Sequence, residues 1–317
     1  MEEQKDYWRN EAVAFLALSS IKGVGYWTLH KISDAGKSFE RLLKAGSPKE
    51  LEKHLRISLP DDSSWSDYQR SLWAIGIEAA RNLHQKGIQL FFRDQEEFPQ
   101  NLREIHDSPQ WIFVQGSIRN LHKKTISIVG TRKPTDDGIF LTKIIVASIA
   151  NRGTPTVSGL ATGIDQTAHT ESIRYNIPTI AVLGNGIFVE FPSGSDALKD
   201  KIIAHGGTIV TEYLPYQTYS GENFVRRNRI QAALCNTLFP VEWKIKSGTA
   251  HTVEYAYKYK KKIANVFLPL TYDTRPELAF AEKNRNAKSW ELPSSINLMM
   301  EFLDEEEMSP HQSSLDL

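Results

Sequence analysis

The sequence predicts an α/β fold with a mostly parallel sheet, preceded by helices. Three observations carry that class. The runs Ile126–Val129, Thr156–Val157 and Thr179–Leu183 are short, β-branched and nearly unalternated, as strands buried on both faces are. Each empties into a glycine-containing turn, in VGTR, SGLATGID and VLGNG. Helical periodicity fills the intervals between them, the alternation that builds parallel βαβ units.

Along the chain, apolar spacings of three and four over Ala12–Leu18, Leu29–Ile32 and Trp65–Leu83 predict helices. The turn Ile21-Lys22-Gly23-Val24-Gly25 fits a helix-hairpin-helix, whose glycine-turn N–H groups hold a DNA phosphate. It fits an ordinary helix connection at least as well. Pro60-Asp61-Asp62-Ser63-Ser64 reads as a loop. The expected domains are a helical one over 1–85, an α/β one over 86–285, and a C-terminal piece over 286–317. That last piece holds one helix, Ile296–Leu303, and then a mobile acidic tail.

At 317 residues the chain can bury one sizeable core with smaller units beside it. Its 40% hydrophobic content is dispersed, with no apolar run of bilayer-spanning length, and no secretory signal pattern opens it. The single cysteine, Cys235, rules out an internal disulfide framework and fits a reducing cytoplasm. No histidine signature accompanies it, so a buried, inert thiol is expected. Net charge is zero, with 38 Lys and Arg against 38 Asp and Glu. The cations nevertheless cluster at Lys123-Lys124, at Arg132-Lys133, at Arg226, Arg227 and Arg229, at Lys244 and Lys246, and at Lys258 and Lys260 to Lys262, whereas acids gather near the two ends. A neutral total is therefore compatible with a basic groove.

Ligands of parallel sheets bind at the carboxyl ends of the strands, where Gly130, Gly159 and Gly184 fall. A glycine there admits an N–H close to an anion, or simply makes a tight turn. Arg132 stands beside the first. A further anion-loop candidate is Lys246-Ser247-Gly248-Thr249-Ala250, with small residues, two hydroxyls and a charge; Ser247 or Thr249 also suits a helix N-cap. In Phe224-Val225-Arg226-Arg227-Asn228-Arg229-Ile230, three guanidiniums and an amide can fork onto phosphate oxygens, or form a solvated basic helix face. Asp165 and His169, four apart, would share a helix face, a spacing that serves metal binding or acid/base work. Two such groups are too few ligands, and Asp165 suits a cap for the N–H of Thr167 or Ala168. A dinucleotide fingerprint fails, because Gly130 stands alone and Gly184-Asn185-Gly186 is followed by Val189 where a third glycine belongs.

Taken in order, VGTR, SGLATGID with Ala168-His169, VLGNG, Phe191-Pro192, Thr211-Glu212-Tyr213, FVRRNRI and KSGTAHTVEYA, after the entry segment Glu96–Gly116, resemble the DprA/Smf family of DNA-processing proteins. The resemblance covers roughly half the chain. It implies an extended Rossmann-like sheet behind a helix-hairpin-helix or SAM-like domain. It also implies a non-enzymatic role in natural transformation or recombination, with single-stranded DNA as ligand, a RecA-type recombinase as a partner, a homodimer, and neither cofactor nor metal.

Carried over residue by residue, the resemblance puts a pocket for single-stranded DNA on Arg132, Arg226 and Arg229, with Arg227 as a further candidate. The chemistry of the loops themselves adds Gly130 and Thr131, Ser158 and Gly159, Gly184 and Gly186, Asn228, and Lys246, Ser247, Gly248 and Thr249 as phosphate-binding candidates. Base stacking would come from Phe188 or Phe191, which fit a buried core nearly as well. The alternative is a nucleotide-binding sensor or a phosphoribohydrolase-like N-glycosidase of the same superfamily, in which Glu254 stabilises a developing sugar cation. The family carries a glutamate at that place anyway, so Glu254 does not discriminate. Three departures stand out. Ser193-Gly194 follows Phe191-Pro192 where a lysine is usual, leaving Lys199 as a distant substitute. Pro269-Leu270-Thr271 replaces Pro-Gly after the last expected strand, Asn265–Leu268. No winged helix is expected after that.

Overall fold

A computed structural model describes residues 2–59 and 65–305. The loop expected at Pro60–Ser64 and the tail from Glu306 onward lie outside the described residues. The chain opens with helices α1 (Glu2–Ser19), α2 (Tyr26–Asp34), α3 (Phe39–Leu43), α4 (Pro48–Leu55) and α5 (Trp65–Gln85). Then come β1 (Ile88–Phe92), α6 (Gln100–Arg103), β2 (Trp111–Gly116), β3 (Ile126–Val129), α7 (Asp136–Ser148), β4 (Thr156–Ser158), α8 (Ile164–Arg174) and β5 (Thr179–Val182). The remainder is α9 (Asp196–Ala204), β6 (Thr208–Thr211), α10 (Gly221–Leu234), β7 (Thr237–Pro240), α11 (Gly248–Lys258), β8 (Lys262–Phe267), α12 (Pro276–Arg285), β9 (Lys288–Glu291) and α13 (Ile296–Asp304). The fold is α/β with mostly parallel strand pairing and N-terminal helices, as the sequence predicts.

The chain forms two compact units, residues 1–122 with 180–227, and residues 123–179 with 228–317. The helices of residues 2–85 thus share a unit with β1, β2 and β6. In this first unit the strand order is β1-β2-β6-β5. β1 pairs antiparallel with β2 and β2 with β6, whereas β5 and β6 run parallel. Its core is aromatic: the Phe15 ring of α1 meets Phe39, Phe92, Trp111 and Phe113 at centroid distances of 5.2, 5.6, 4.7 and 6.3 Å. Rings of this size dominate burial, which is how α1 binds α3 and the two strands.

The second unit orders its strands β4-β3-β7-β8-β9, all parallel. Alternate residues feed two cores. Ile126, Ile128, Phe239, Ala264 and Val266 pack with α7, α8 and α13, while Val129, Leu238 and Ile263 pack with α10, α11 and α12. Burial on both faces explains why these strands read as unbroken apolar runs. Cys235 is fully buried in the second core, as expected of an inert thiol.

β8 is not the last strand. The α/β layer continues past residue 285 with β9, paired from Ala264↔Lys288 to Phe267↔Glu291, and with α13, whose Met299 and Phe302 enter the first of those cores. Arg152 Nη2 donates to Asp304 Oδ2 at 2.7 Å, and this bond holds the Asp304 carboxyl below its usual range. Lys262 Nζ donates to the Phe302 carbonyl at 2.8 Å, satisfying an α13 C-terminal acceptor.

The Pro269-Leu270 departure has a measurable consequence. Thr271 N–H donates to Leu268 O at 3.1 Å, closing a turn in which Leu270 adopts φ +65° and is 98% exposed. That is the third position of a type II turn, where glycine belongs, and a left-handed leucine is strained by about 1–2 kcal/mol. Leu270→Gly removes no packing. It is expected to raise stability by about 0.5–1 kcal/mol once the entropy of glycine in the unfolded chain is discounted, read as a higher urea midpoint at unchanged slope.

Candidate nucleic-acid interface

In the second unit, two of the predicted loops, those after β3 and β4, are stitched to each other and to the exit of β7. The Thr131 N–H donates to the Glu242 carbonyl at 2.7 Å, and the Thr131 carbonyl accepts from the Ile164 N–H at 3.2 Å. The VGTR turn is thereby fixed to both the exit of β7 and the start of α8. A Cβ at Gly130 would lie 2.6 Å from Ile164 Cγ1 and 3.0 Å from the Glu242 carbonyl, so the glycine serves the approach of protein to protein. Gly163, at φ +86°, heads α8 in a conformation open to glycine, and a Cβ there would sit 2.4 Å from the Thr131 carbonyl oxygen.

Carboxylates organise these turns from inside. Glu242 Oε2 accepts from the Thr135 N–H at 3.0 Å and the Thr135 hydroxyl at 3.1 Å. Thr135 in turn caps α7 by accepting from the Gly138 N–H. The Ser158 hydroxyl is fully buried and donates to the Ile128 carbonyl at 2.6 Å. The Gly159 N–H donates to Asp165 Oδ2 at 3.1 Å. Asp165 therefore shapes the SGLATGID loop across its width. Two of the amides expected to meet an anion, those of Thr131 and Gly159, are already donating within the protein.

What the second unit presents outward is side-chain charge. Arg132 and Lys133 after β3, and Lys244 and Lys246 after β7, are exposed. β3 and β7 are adjacent, in register from Ile126↔Thr237 to Val129↔Pro240, so these loops leave neighbouring strand ends. Ser247 is the N-cap of α11, accepting from the Ala250 N–H at 3.4 Å, while Gly248 is exposed and Thr249 buried. Asn228 Nδ2 donates to the Gly248 carbonyl at 2.9 Å and holds this loop from α10.

Arg229 also belongs to the second unit, whereas Gly184, Gly186, Arg226 and Arg227 lie in the first. Gly184 is covered by Phe224, and the Gly186 N–H donates to the Gln217 carbonyl at 2.8 Å. Arg227 is 4% exposed and donates through Nη1 to the Val182 carbonyl. Arg226 Nε lies 3.6 Å from Glu212 Oε1, and its guanidinium stacks 4.7 Å from the Trp27 ring centre. Phe188 packs on Tyr216 at 4.9 Å, and Phe191 on Tyr219 at 4.0 Å, with both phenylalanines half-buried. Lys199 folds back onto the Ile187 carbonyl and pairs with Asp196 at 2.5 Å.

The FVRRNRI segment is not a solvated basic face. Arg227, Asn228 and Arg229 are 4, 8 and 0% exposed, so three of its four polar positions turn inward. His169 is also fully buried; its Nδ1 meets the Thr179 hydroxyl at 2.7 Å, next to bonded Thr156 and Ser172 hydroxyls. Among the described residues no group of three or more His, Cys, Asp or Glu is placed to hold a metal ion. Glu254, on α11, pairs with Arg285 Nε at 2.6 Å and with Lys258 at 3.5 Å. Glu212 and Glu242 went unassigned in the sequence, although each directly follows a run of buried strand residues. An acid in that place needs an internal partner.

No described helix is long and apolar enough to cross a membrane. The profile of the family described as DNA recombination-mediator protein A matches residues 89–284. Among curated relatives, protein Smf of Synechocystis sp. is 30% identical over 264 residues, covering 80% of this chain and 64% of that protein. DNA processing protein DprA of Streptococcus pneumoniae is 33% identical over 159 residues, covering 50% and 56%. The chain thus spans less than two thirds of the length of these relatives. A solved structure of the S. pneumoniae DprA superposes with a TM-score of 0.66 at 22% identity, covering 95% of this chain and 99% of that one. DNA processing protein A of Helicobacter pylori, described by its single-stranded DNA binding mode, gives 0.59 at 23% identity, covering 68% and 96%. With its profile match extending over more than half its length, and with the same α/β fold, the chain belongs to the DprA/Smf family of DNA recombination-mediator proteins.

Proposed function

We propose that the protein binds single-stranded DNA without enzymatic turnover, in cytoplasmic DNA processing, natural transformation or recombination. The observation that carries the reading is the set of exposed cations, Arg132, Lys133, Lys244 and Lys246, on loops that leave adjacent parallel strands of the second unit. Such a row tracks a phosphate backbone and releases its counterions. The engaged amides of Thr131 and Gly159 assign the loop backbone a shaping role and leave phosphate neutralisation to side chains. Gly248, on the loop after β7, would join this surface of the second unit, while Asn228 and Arg229 would support it from within. A RecA-type recombinase as partner and a homodimer belong to the same reading, drawn from the family.

The test compares fluorescence-anisotropy titrations of a labelled single strand, the matching duplex and a labelled nucleoside monophosphate. The single strand is expected to bind tightest, with no base released from the nucleotide. Release of free base that disappears in Glu254→Gln would replace this reading with an N-glycosidase.

A further inference from the structure

We infer that Trp27, on the first turn of α2, is a base-stacking residue by which the helical part of the first unit itself engages single-stranded DNA. The inference rests on the single-stranded DNA reading and adds a contact to it. Trp27 is 47% exposed, an unusual position for an indole. It is nevertheless held from three directions. The Arg226 guanidinium stacks 4.7 Å from its ring centre, Tyr26 meets it edge-on at 5.1 Å, and His30 tilts against it at 5.4 Å.

The bracket behind it is buried and polar. Glu212, 1% exposed, accepts from the Tyr26 hydroxyl at 2.5 Å and lies 3.6 Å from Arg226 Nε. Its carboxylate offsets the charge of the Arg226 guanidinium that lies over the indole. A cation–π contact of this kind contributes about 0.5–2 kcal/mol, and a ring so restrained loses little freedom when a second flat group stacks on it. With Arg226 engaged by Glu212, the accessible element is an aromatic face, which suits a base better than a phosphate. The surroundings favour a polyanion carrying bases over a peptide. Lys22 and Lys31 flank the ring in sequence and are exposed, and no acid occurs between Ser20 and Ser33.

The experiment measures the affinity of the full chain for an oligothymidylate and for an abasic strand of equal length. Trp27→Ala and Trp27→Leu should each weaken oligothymidylate binding about tenfold, Trp27→Phe should recover most of that loss, and none should change binding of the abasic strand. An equal loss on both strands would make Trp27 merely a brace for Arg226 and overturn the inference, as would an unchanged oligothymidylate affinity. If the unmodified protein binds neither strand, the single-stranded DNA reading itself fails and takes this contact with it.

Discussion

Exchanging Arg132 and Lys246 together for alanine is expected to weaken single-stranded DNA binding about a hundredfold while leaving the urea midpoint in place. Both side chains are exposed, on loops that leave neighbouring strands of one unit, so neither substitution opens the core. A charged hydrogen bond to phosphate contributes about 1.5–3 kcal/mol, and a contribution of about 1.4 kcal/mol from each residue, at the low end of that range, suffices for the effect. Arg229 is the wrong partner for such a test. It is fully buried and bonded within the protein, and Arg229→Ala would leave buried groups unsatisfied at about 1–3 kcal/mol each. Its expected signature is lost stability, with any fall in binding secondary to that.

The largest expected effect on the fold is that of Gly163→Ala. The residue holds φ +86° at the head of α8, and the added methyl would stand 2.4 Å from the Thr131 carbonyl and 2.8 Å from Pro134 Cδ. One of those neighbours is backbone, already accepting the Ile164 N–H, so relief requires moving the VGTR turn away from α8. Dihedral strain and forced repacking together destabilise by about 3 kcal/mol. Chemical denaturation should show this as a lower midpoint, and single-stranded DNA affinity should fall because Arg132 rides on the displaced turn. A variant with both properties unchanged would mean that the turn tolerates a different backbone path.

The strands of the second unit were legible because burial on both faces leaves β-branched residues nearly alone at those positions, as in Ile126–Val129. β9 was not. Of its four residues Lys288–Glu291 only Trp290 is buried, and an edge strand of that composition is dictated by pairing with β8 instead of by pattern. The loops divide in the same way. That glycine occupies positions 130 and 163 can be read from the sequence, but what approaches it is a tertiary fact: Ile164 and Glu242 in one case, Thr131 in the other. The basic segment of α10 was legible only in part, for a related reason. Guanidiniums crowded into four residues fit a phosphate fork or a solvated face, and only the structure shows that Arg227 and Arg229 turn inward. Only contacts far apart in sequence, such as Arg227 with the Val182 carbonyl, reveal their structural use.

The most direct test of phosphate neutralisation by the loops after β3 and β7 is the salt dependence of single-stranded DNA binding, measured for the unmodified protein and for the Arg132→Ala/Lys246→Ala variant. Each phosphate contact contributes about 0.7 to the slope of log K against log salt on a single strand. The variant should therefore show a slope shallower by about 1.4, with the two lines converging at high salt. Coincident lines would contradict the account, as would a weaker but parallel line, since neither outcome removes ions along with the side chains.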